Sequence, residues 1–125
     1  MAKYDTSNFD PPAPVASVTL RDRKSRKTVR DVSLLIDSGA DVTLLPRTRI
    51  DELGVTPQAD QRYELMGFDG SRSFSSVVIL DMIFLKRVFR GSYLLIDEEF
   101  GVLGRDVLNH IAVLMDGPRQ QWEIQ

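Results

Sequence analysis

The chain has 125 residues, of which 42% are hydrophobic, and a formal net charge of −2 at pH 7. This length predicts a single domain with its own hydrophobic core, and the small negative charge gives no overall attraction to nucleic acid. Because cysteine is absent, disulfides, thiol nucleophiles and cysteine-based metal sites are excluded. No segment approaches the roughly 20 apolar residues that span a membrane, and residues 1–14 lack the apolar region of a signal peptide. We therefore expect a soluble, cytoplasmic protein with no metal, no cofactor and no membrane partner.

Apolar runs and turn residues alternate along the chain at short intervals. Residues 1–14 are polar and rich in proline, which predicts a flexible tail before a domain that covers residues 15–125. Period-two alternation and β-branched residues predict strands, in chain order, at residues 15–20, 32–36, 42–45, 63–65, 73–85, 88–96, 111–115 and 121–124. Short helical segments are predicted at residues 46–53, which begin with proline and precede Gly54, and at residues 105–110. Many short strands with little helix predict a small all-β barrel.

Residues 21–30 hold six of the sixteen basic residues of the chain. This concentration of charge is consistent with a solvated hairpin turn between two strands, or with a patch that binds an acidic partner or nucleic acid. No aromatic residue is interleaved to stack on bases, so nucleic acid is not expected as a partner. The solvated turn is the favoured interpretation.

Two separate segments carry the pattern of a chemical site. The apolar residues 34–36 lead directly into Asp37, which is followed by a Ser-Gly turn at residues 38 and 39. Apolar surroundings penalise the charged form of a carboxylate, so an aspartate in this position suits proton chemistry better than stability. The second segment, residues 102–108, has the sequence Val-Leu-Gly-Arg-Asp-Val-Leu. By itself it is typical of a buried strand that runs into a helix, with Gly104 allowing close packing.

Together the two segments resemble the retropepsin-like aspartic proteases, whose active-site loop has the pattern apolar-apolar-Asp-Thr/Ser-Gly-Ala. The resemblance covers roughly residues 15–124, and the C-terminal turn and strand at residues 117–124 are more similar to the cellular and prokaryotic branch. It implies an all-β fold, a small closed β-barrel of the retropepsin (acid protease) type with one short helix near the C-terminus, which works as a homodimer. It also implies an aspartic endopeptidase that hydrolyses peptide bonds with a water activated between two Asp37 carboxylates, one from each chain.

A second chain is also expected from the residues themselves. Two carboxylates that share one proton can provide both the base and the acid that peptide hydrolysis needs. The chain contains one Asp-Ser-Gly, and the aspartates Asp22, Asp51 and Asp81 are predicted to lie in turn-like or strand-edge positions without the flanking apolar pattern. The second carboxylate is therefore expected from another copy of the chain.

The resemblance assigns a role to each residue that matches the family pattern. Asp37 is the catalytic residue, and the loop around it is supported by Ser38, Gly39 and Ala40. A flap hairpin that closes over the substrate is matched by residues 66–71. Substrate-binding positions are matched by Leu35, Asp41, Val42, Met66, Gly67, Phe68, Asp69 and Val102. Asp41 also matches a position that forms an ion pair with the arginine of the second segment, here Arg105.

Other functions remain open at the level of the sequence. The chain could be an inactive peptide-binding or dimerisation module that keeps the fold, or a scaffold whose basic turn recruits a partner. A Ser-His-Asp triad would have to use His110, the only histidine. The intact residues 37–40 favour the endopeptidase.

Overall fold

The computed structural model describes the backbone of residues 1–66 and 72–125, and the side chains of residues 1–58 and 75–125. The elements, in chain order, are β1 (Ala2–Lys3), β2 (Val15–Arg21), β3 (Thr28–Ile36), β4 (Leu44–Pro46), α1 (Arg47–Leu53), β5 (Gln58–Met66), β6 (Arg72–Phe84), β7 (Arg87–Ile96), β8 (Gly101–Leu103), α2 (Arg105–Leu108), β9 (Val113–Asp116) and β10 (Gln121–Ile124). Each predicted strand has a counterpart among them. The tip of the predicted flap, residues 67–71, lies outside the described residues.

The larger sheet closes on itself. Its strand order is β2-β3-β8-β4-β7-β6-β5. A further pairing between β2 and β6 closes six of these strands into a ring, to which β5 adds by pairing with β6. Closure is possible because β6 is 13 residues long, so that one part of its edge pairs with β5 and another part pairs with β2. Alternate residues of these strands point inward and form the buried core. The predicted small closed β-barrel is confirmed.

The two helices are short and lie where the sequence predicts them. Pro46 caps α1 from an extended conformation, and Gly54 ends it with φ 81°, where its N–H donates to the carbonyl of Ile50 at 3.0 Å. That left-handed φ favours glycine, which has no Cβ to clash. Ile50 and Leu53 are buried, so α1 closes one side of the barrel core. No helix in the described part of the chain is long and apolar enough to cross a membrane.

The chain termini form a second, smaller sheet with the strand order β1-β10-β9. Ala2 pairs with Trp122, and a bridge between Asp5 and Ala13 folds the following segment back on itself. Phe9 packs edge-on against Phe100, with ring centroids 5.2 Å apart. Where the sequence predicts a flexible tail, the structure thus places strand pairing and an aromatic contact with the domain.

The short strand β8 lies between β3 and β4, which are separated in sequence by the Asp37 loop. It runs parallel to β3, with Leu35 beside Val102, and antiparallel to β4, with Leu44 beside Val102. The backbone of β4 lies so close to β8 that a Cβ on Gly101 would be 2.3 Å from the carbonyl oxygen of Leu44. This insertion needs glycine, because any side chain would force the strands apart.

We expect Gly101→Ala to lower the free energy of unfolding by about 3 kcal/mol, because the added methyl overlaps backbone that cannot move aside. Gly117→Ala is the matched control, since a Cβ on Gly117 meets nothing within 4 Å. Urea unfolding followed by the fluorescence of Trp122, the only tryptophan, measures both variants. Equal stability of the two variants would contradict the packing described here.

Candidate active site

Asp37 is the first residue after β3, and the local backbone holds its carboxylate in one orientation. Its N–H donates to the carbonyl of Leu103 at 3.1 Å, which ties the loop to the end of β8. Its Oδ1 accepts a hydrogen bond of 2.9 Å from the N–H of Gly39, and its carbonyl accepts one of 3.2 Å from Ala40. Asp37 is half-buried, whereas Ser38 and Gly39 are exposed. The carboxylate therefore stands at the protein surface with one oxygen already bonded.

The first turn of α2 supports the same loop from the other side. The N–H of Arg105 donates to the carbonyl of Ala40 at 2.9 Å, and its Nη1 donates to the carbonyl of Ser38 at 2.7 Å. Within the described residues of the single chain, no ion pair joins Arg105 to Asp41. The predicted pair is not formed because the guanidinium is directed at the loop backbone, while Asp41 is exposed to water.

A buried threonine connects the two segments that carry the sequence pattern. Thr43 is completely buried; its Oγ1 donates to Asp106 Oδ1 at 2.7 Å, and its N–H donates to Asp106 Oδ2 at 3.0 Å. The same Oγ1 accepts a hydrogen bond of 3.1 Å from the N–H of Gly104. The role of Thr43 was missed from the sequence, although a polar residue in the apolar run 42–45 is a signal, because a buried hydroxyl needs partners.

Gly104 completes this connection by its lack of a side chain. A Cβ there would stand 2.5 Å from the carbonyl oxygen of Val42 and 3.1 Å from that of Ala40. The loop that follows Asp37 therefore lies directly on the end of β8. Val42, predicted to bind substrate, uses its backbone for this packing.

Two of the predicted substrate-binding residues lie side by side. Leu35 and Val102 occupy neighbouring positions of β3 and β8, and both are half-buried while their strand neighbours face the core. They line a cavity of about 390 Å³ together with Asn8, Phe9, Glu98, Glu99, Phe100 and Gly101. The predicted residues Met66, Gly67, Phe68 and Asp69 cannot be compared with it, because their side chains lie outside the described residues.

Two aspartates differ from their predicted settings. Asp51 is an exposed residue of α1, not a turn residue. Asp81 lies within β6 and is completely buried, with Arg21 Nη2 2.9 Å from its Oδ2. Asp22 is in the turn after β2, as predicted. The prediction for Asp81 was wrong because burial of a carboxylate depends on arginines that are distant in sequence.

His110 lies beside a second cavity, of about 410 Å³, between β7 and α2. Ser92 and Asp106 also line this cavity, but among the described residues no hydrogen bond joins either of them to the His110 side chain. Both oxygens of Asp106 are bonded to Thr43. The arrangement does not form a Ser-His-Asp triad.

Tyr93 borders the same cavity and is kept neutral. Burial, together with the carboxylates of Asp106 and Asp81, raises the pKa of its hydroxyl well above the usual range. The hydroxyl donates to the carbonyl of Phe89 at 2.7 Å. Tyr93 therefore acts as a buried hydrogen-bond donor that stabilises β7.

We expect Thr43→Val to lower the free energy of unfolding by about 2 kcal/mol, because it leaves the N–H of Gly104 without its acceptor and removes one bond to Asp106. Thr48→Val, at an exposed position of α1, is the control and should change stability by less than about 0.5 kcal/mol. Urea unfolding of both variants provides the comparison. A loss no greater than that of the control would show that the Thr43 hydroxyl does not hold the two segments together.

The architecture has a counterpart among solved structures. The EIAV protease complexed with the inhibitor HBY-793 aligns with a TM-score of 0.62 and 21% sequence identity, over 85% of this chain and 93% of that chain. No family model matches the chain, and no curated protein sequence matches it significantly. The likeness shows a retropepsin-like, aspartic-protease-like fold. Because the similar structure is a retroviral protease, it does not support the predicted cellular or prokaryotic branch.

Proposed function

We propose that this protein is an aspartic endopeptidase that works as a homodimer, with Asp37 of each chain in one shared active site. The observation that carries the proposal is the setting of Asp37 within a retropepsin-like fold. Its carboxylate stands at the end of β3, Gly39 orients it, and Arg105 supports the loop from below. These contacts hold the Asp37 carboxylate in a fixed orientation at the protein surface, where it does not contribute to the packing of the hydrophobic core.

The chemistry follows from placing two such carboxylates together. At about 3 Å and an effective dielectric near 20, two negative charges repel by roughly 5 kcal/mol, so one proton remains in the pair. The ionised carboxylate then takes a proton from a bound water, which attacks the peptide carbonyl. The protonated carboxylate gives its proton to the carbonyl oxygen, which yields a tetrahedral diol. As the C–N bond breaks, the carboxyl group that took the proton from water gives it to the departing amine, and the other carboxylate recovers a proton from a hydroxyl of the diol.

The partner carboxylate is proposed to come from a second copy. A two-fold axis beside Asp37 would bring the same exposed loop of both chains together, as in an isologous interface. The exposed Ser38 hydroxyl and the flat surface of Gly39 suit close contact between the loops. In retropepsins, which this sequence resembles, the hydroxyl at this position bonds the partner loop.

The proposed substrate is a polypeptide with an apolar residue near the scissile bond. Leu35 lies two residues before Asp37, and Val102 lies three residues before Arg105. Their aliphatic side chains line the same cavity as Phe100. An apolar side chain that enters this cavity leaves water, which stabilises the complex. The flap at residues 66–71 and the binding role of Asp41 remain predictions from the sequence.

We expect Asp37→Asn to reduce peptide cleavage by about 1000-fold or more, because an amide can neither take nor give the shared proton. Stability should change by less than about 1 kcal/mol, since the Asn side-chain oxygen can still accept from Gly39. Cleavage of a randomised peptide library at acidic and neutral pH, with and without pepstatin, measures the effect. Asp51→Asn, on the exposed face of α1, is the control and should retain wild-type turnover.

Retained cleavage by Asp37→Asn would exclude the proposed mechanism. Absence of cleavage by the wild-type chain, with pepstatin still bound, would instead identify the alternative, an inactive peptide-binding or dimerisation module.

A site shared by two chains also predicts how activity depends on the proportion of wild-type and variant chains in a mixture. When wild-type chains are mixed with an equal amount of Asp37→Asn chains and allowed to exchange, activity per wild-type chain should fall to about one half, because half of its partners are inactive. Dilution of the wild type alone should lower activity faster than linearly as the dimer dissociates. Sedimentation at the same concentrations follows the dimer. Unchanged activity per wild-type chain in the mixture would mean that one chain is a complete enzyme.

A further inference from the structure

The outward surface of β2, β6 and β7 carries an unusual row of charge. Arg21 of β2 lies opposite Asp81 of β6, which lies opposite Arg90 of β7, so the three side chains share one face of the sheet. In the same register Ile83 lies opposite Val88. The alternate residues of these strands face the core, so this row faces away from it.

Asp81 is buried here only because arginines cover it. Arg21 Nη2 lies 2.9 Å from its Oδ2, and Arg90 Nε and Arg23 Nε lie 3.3 Å and 3.8 Å from its Oδ1. Oδ1 nevertheless makes no hydrogen bond of proper geometry with any described residue. The side chains of Arg23 and Arg90 are 48% and 62% exposed. The carboxylate thus holds three guanidinium groups close together. Within the described residues, most N–H donors of Arg23 and Arg90 have no hydrogen-bond acceptor.

The turn after β2 adds further positive charge to this surface. We define the basic face as Arg21, Arg23, Lys24, Arg26, Lys27, Arg90 and the aliphatic side chains of Ile79 and Val88. With Asp22 and Asp81 included, it has six basic and two acidic residues, a net charge of +4 in a chain of −2. Asp22 accepts from Ser25 Oγ at 2.7 Å within the turn, so its oxygens are already engaged. Among these residues the positive charge therefore exceeds the negative charge by four.

Exposed aliphatic side chains lie among these cations. Ile79 and Val88 are 40% and 47% exposed, and both belong to the outward face by their pairing with Ser92 and Ile83. Arginine mixed with apolar surface is typical of protein interfaces, whereas single-stranded nucleic acid needs aromatic platforms. None of the residues that define the basic face is aromatic. The composition therefore fits a polypeptide better than a nucleic acid.

We propose that the basic face is a docking site for an acidic polypeptide segment in which carboxylate and apolar side chains are interspersed. Arg23 and Arg90 bind the carboxylates of the segment, and charge-assisted pairs of arginine with carboxylate are strong and directional. Ile79 and Val88 contact its apolar side chains. The basic face uses no residue of the Asp37 loop, so the inference does not depend on peptide hydrolysis.

The test is a binding measurement on the full chain carrying Asp37→Asn, which prevents cleavage of the probe. The probe is a fluorescent peptide of repeated Glu-Leu-Glu-Gly, and its anisotropy is followed at physiological ionic strength. Two further probes are the same peptide with serine for each leucine, and a thymidine oligonucleotide of equal charge.

We expect Arg23→Gln to weaken binding of the leucine peptide by about tenfold, and the matched Arg119→Gln, on the turn between β9 and β10, by less than twofold. Lys27→Gln, on the exposed turn, should also weaken binding of the leucine peptide. It replaces Arg23→Gln in the test if Arg23→Gln disturbs the fold. Val88→Ser should weaken binding of the leucine peptide by about threefold and leave the serine peptide unchanged.

Three results would overturn the proposal. They are equal effects of Arg23→Gln and Arg119→Gln, no binding of the leucine peptide, and binding of the oligonucleotide as tight as that of the peptide. The last result would show a surface that selects charge alone.

Discussion

The insertion of β8 between β3 and β4 is the constraint on which the rest of the structure depends. Two strands that are neighbours in sequence are held apart by a third from the far end of the chain. This arrangement is possible only where the backbones approach closely, which is why Gly101 and Gly104 stand at points where a Cβ would overlap a carbonyl group. The Thr43 hydroxyl and the Asp106 carboxylate then supply the hydrogen bonds that the buried crossing requires.

The same crossing produces the geometry of the candidate site. Because β3 ends beside β8, the N–H of Asp37 finds an acceptor in Leu103, and the loop beyond it must pass over Gly104. The loop is fixed from beneath by Arg105, yet its upper surface has no covering element among the described residues. In the proposed mechanism the Asp37 carboxylate of one chain supplies half of the active site, and Asp37 of a second, symmetry-related chain supplies the other half.

Charge is distributed unevenly over the barrel. The loop between β7 and β8 is acidic, with Asp97 bound to Arg47 at 2.6 Å and Glu98 and Glu99 beside the apolar cavity. The basic face, by contrast, is organised around Asp81. Removing a buried carboxylate that gathers arginines leaves their charges unbalanced, which is costly. Asp81 therefore links Arg21 of β2 to Arg90 of β7 across β6 and concentrates positive charge at that seam.

The sequence by itself determined the strands other than β1, the two short helices, the barrel class and the place of Asp37 at the end of a strand. These follow from local periodicity, from Pro46 and Gly54 at the ends of α1, and from an aspartate placed after an apolar run. Only the tertiary structure decided the contacts made between distant segments. Thr43 meets Asp106, Arg105 binds the backbone of Ser38 and not Asp41, and Asp81 is buried beneath arginines from other strands. The physical reason is that a hydrogen bond or ion pair depends on where the crossing strands bring each side chain. Local sequence sets the direction of a side chain along its own strand, but it does not specify the partner across the fold.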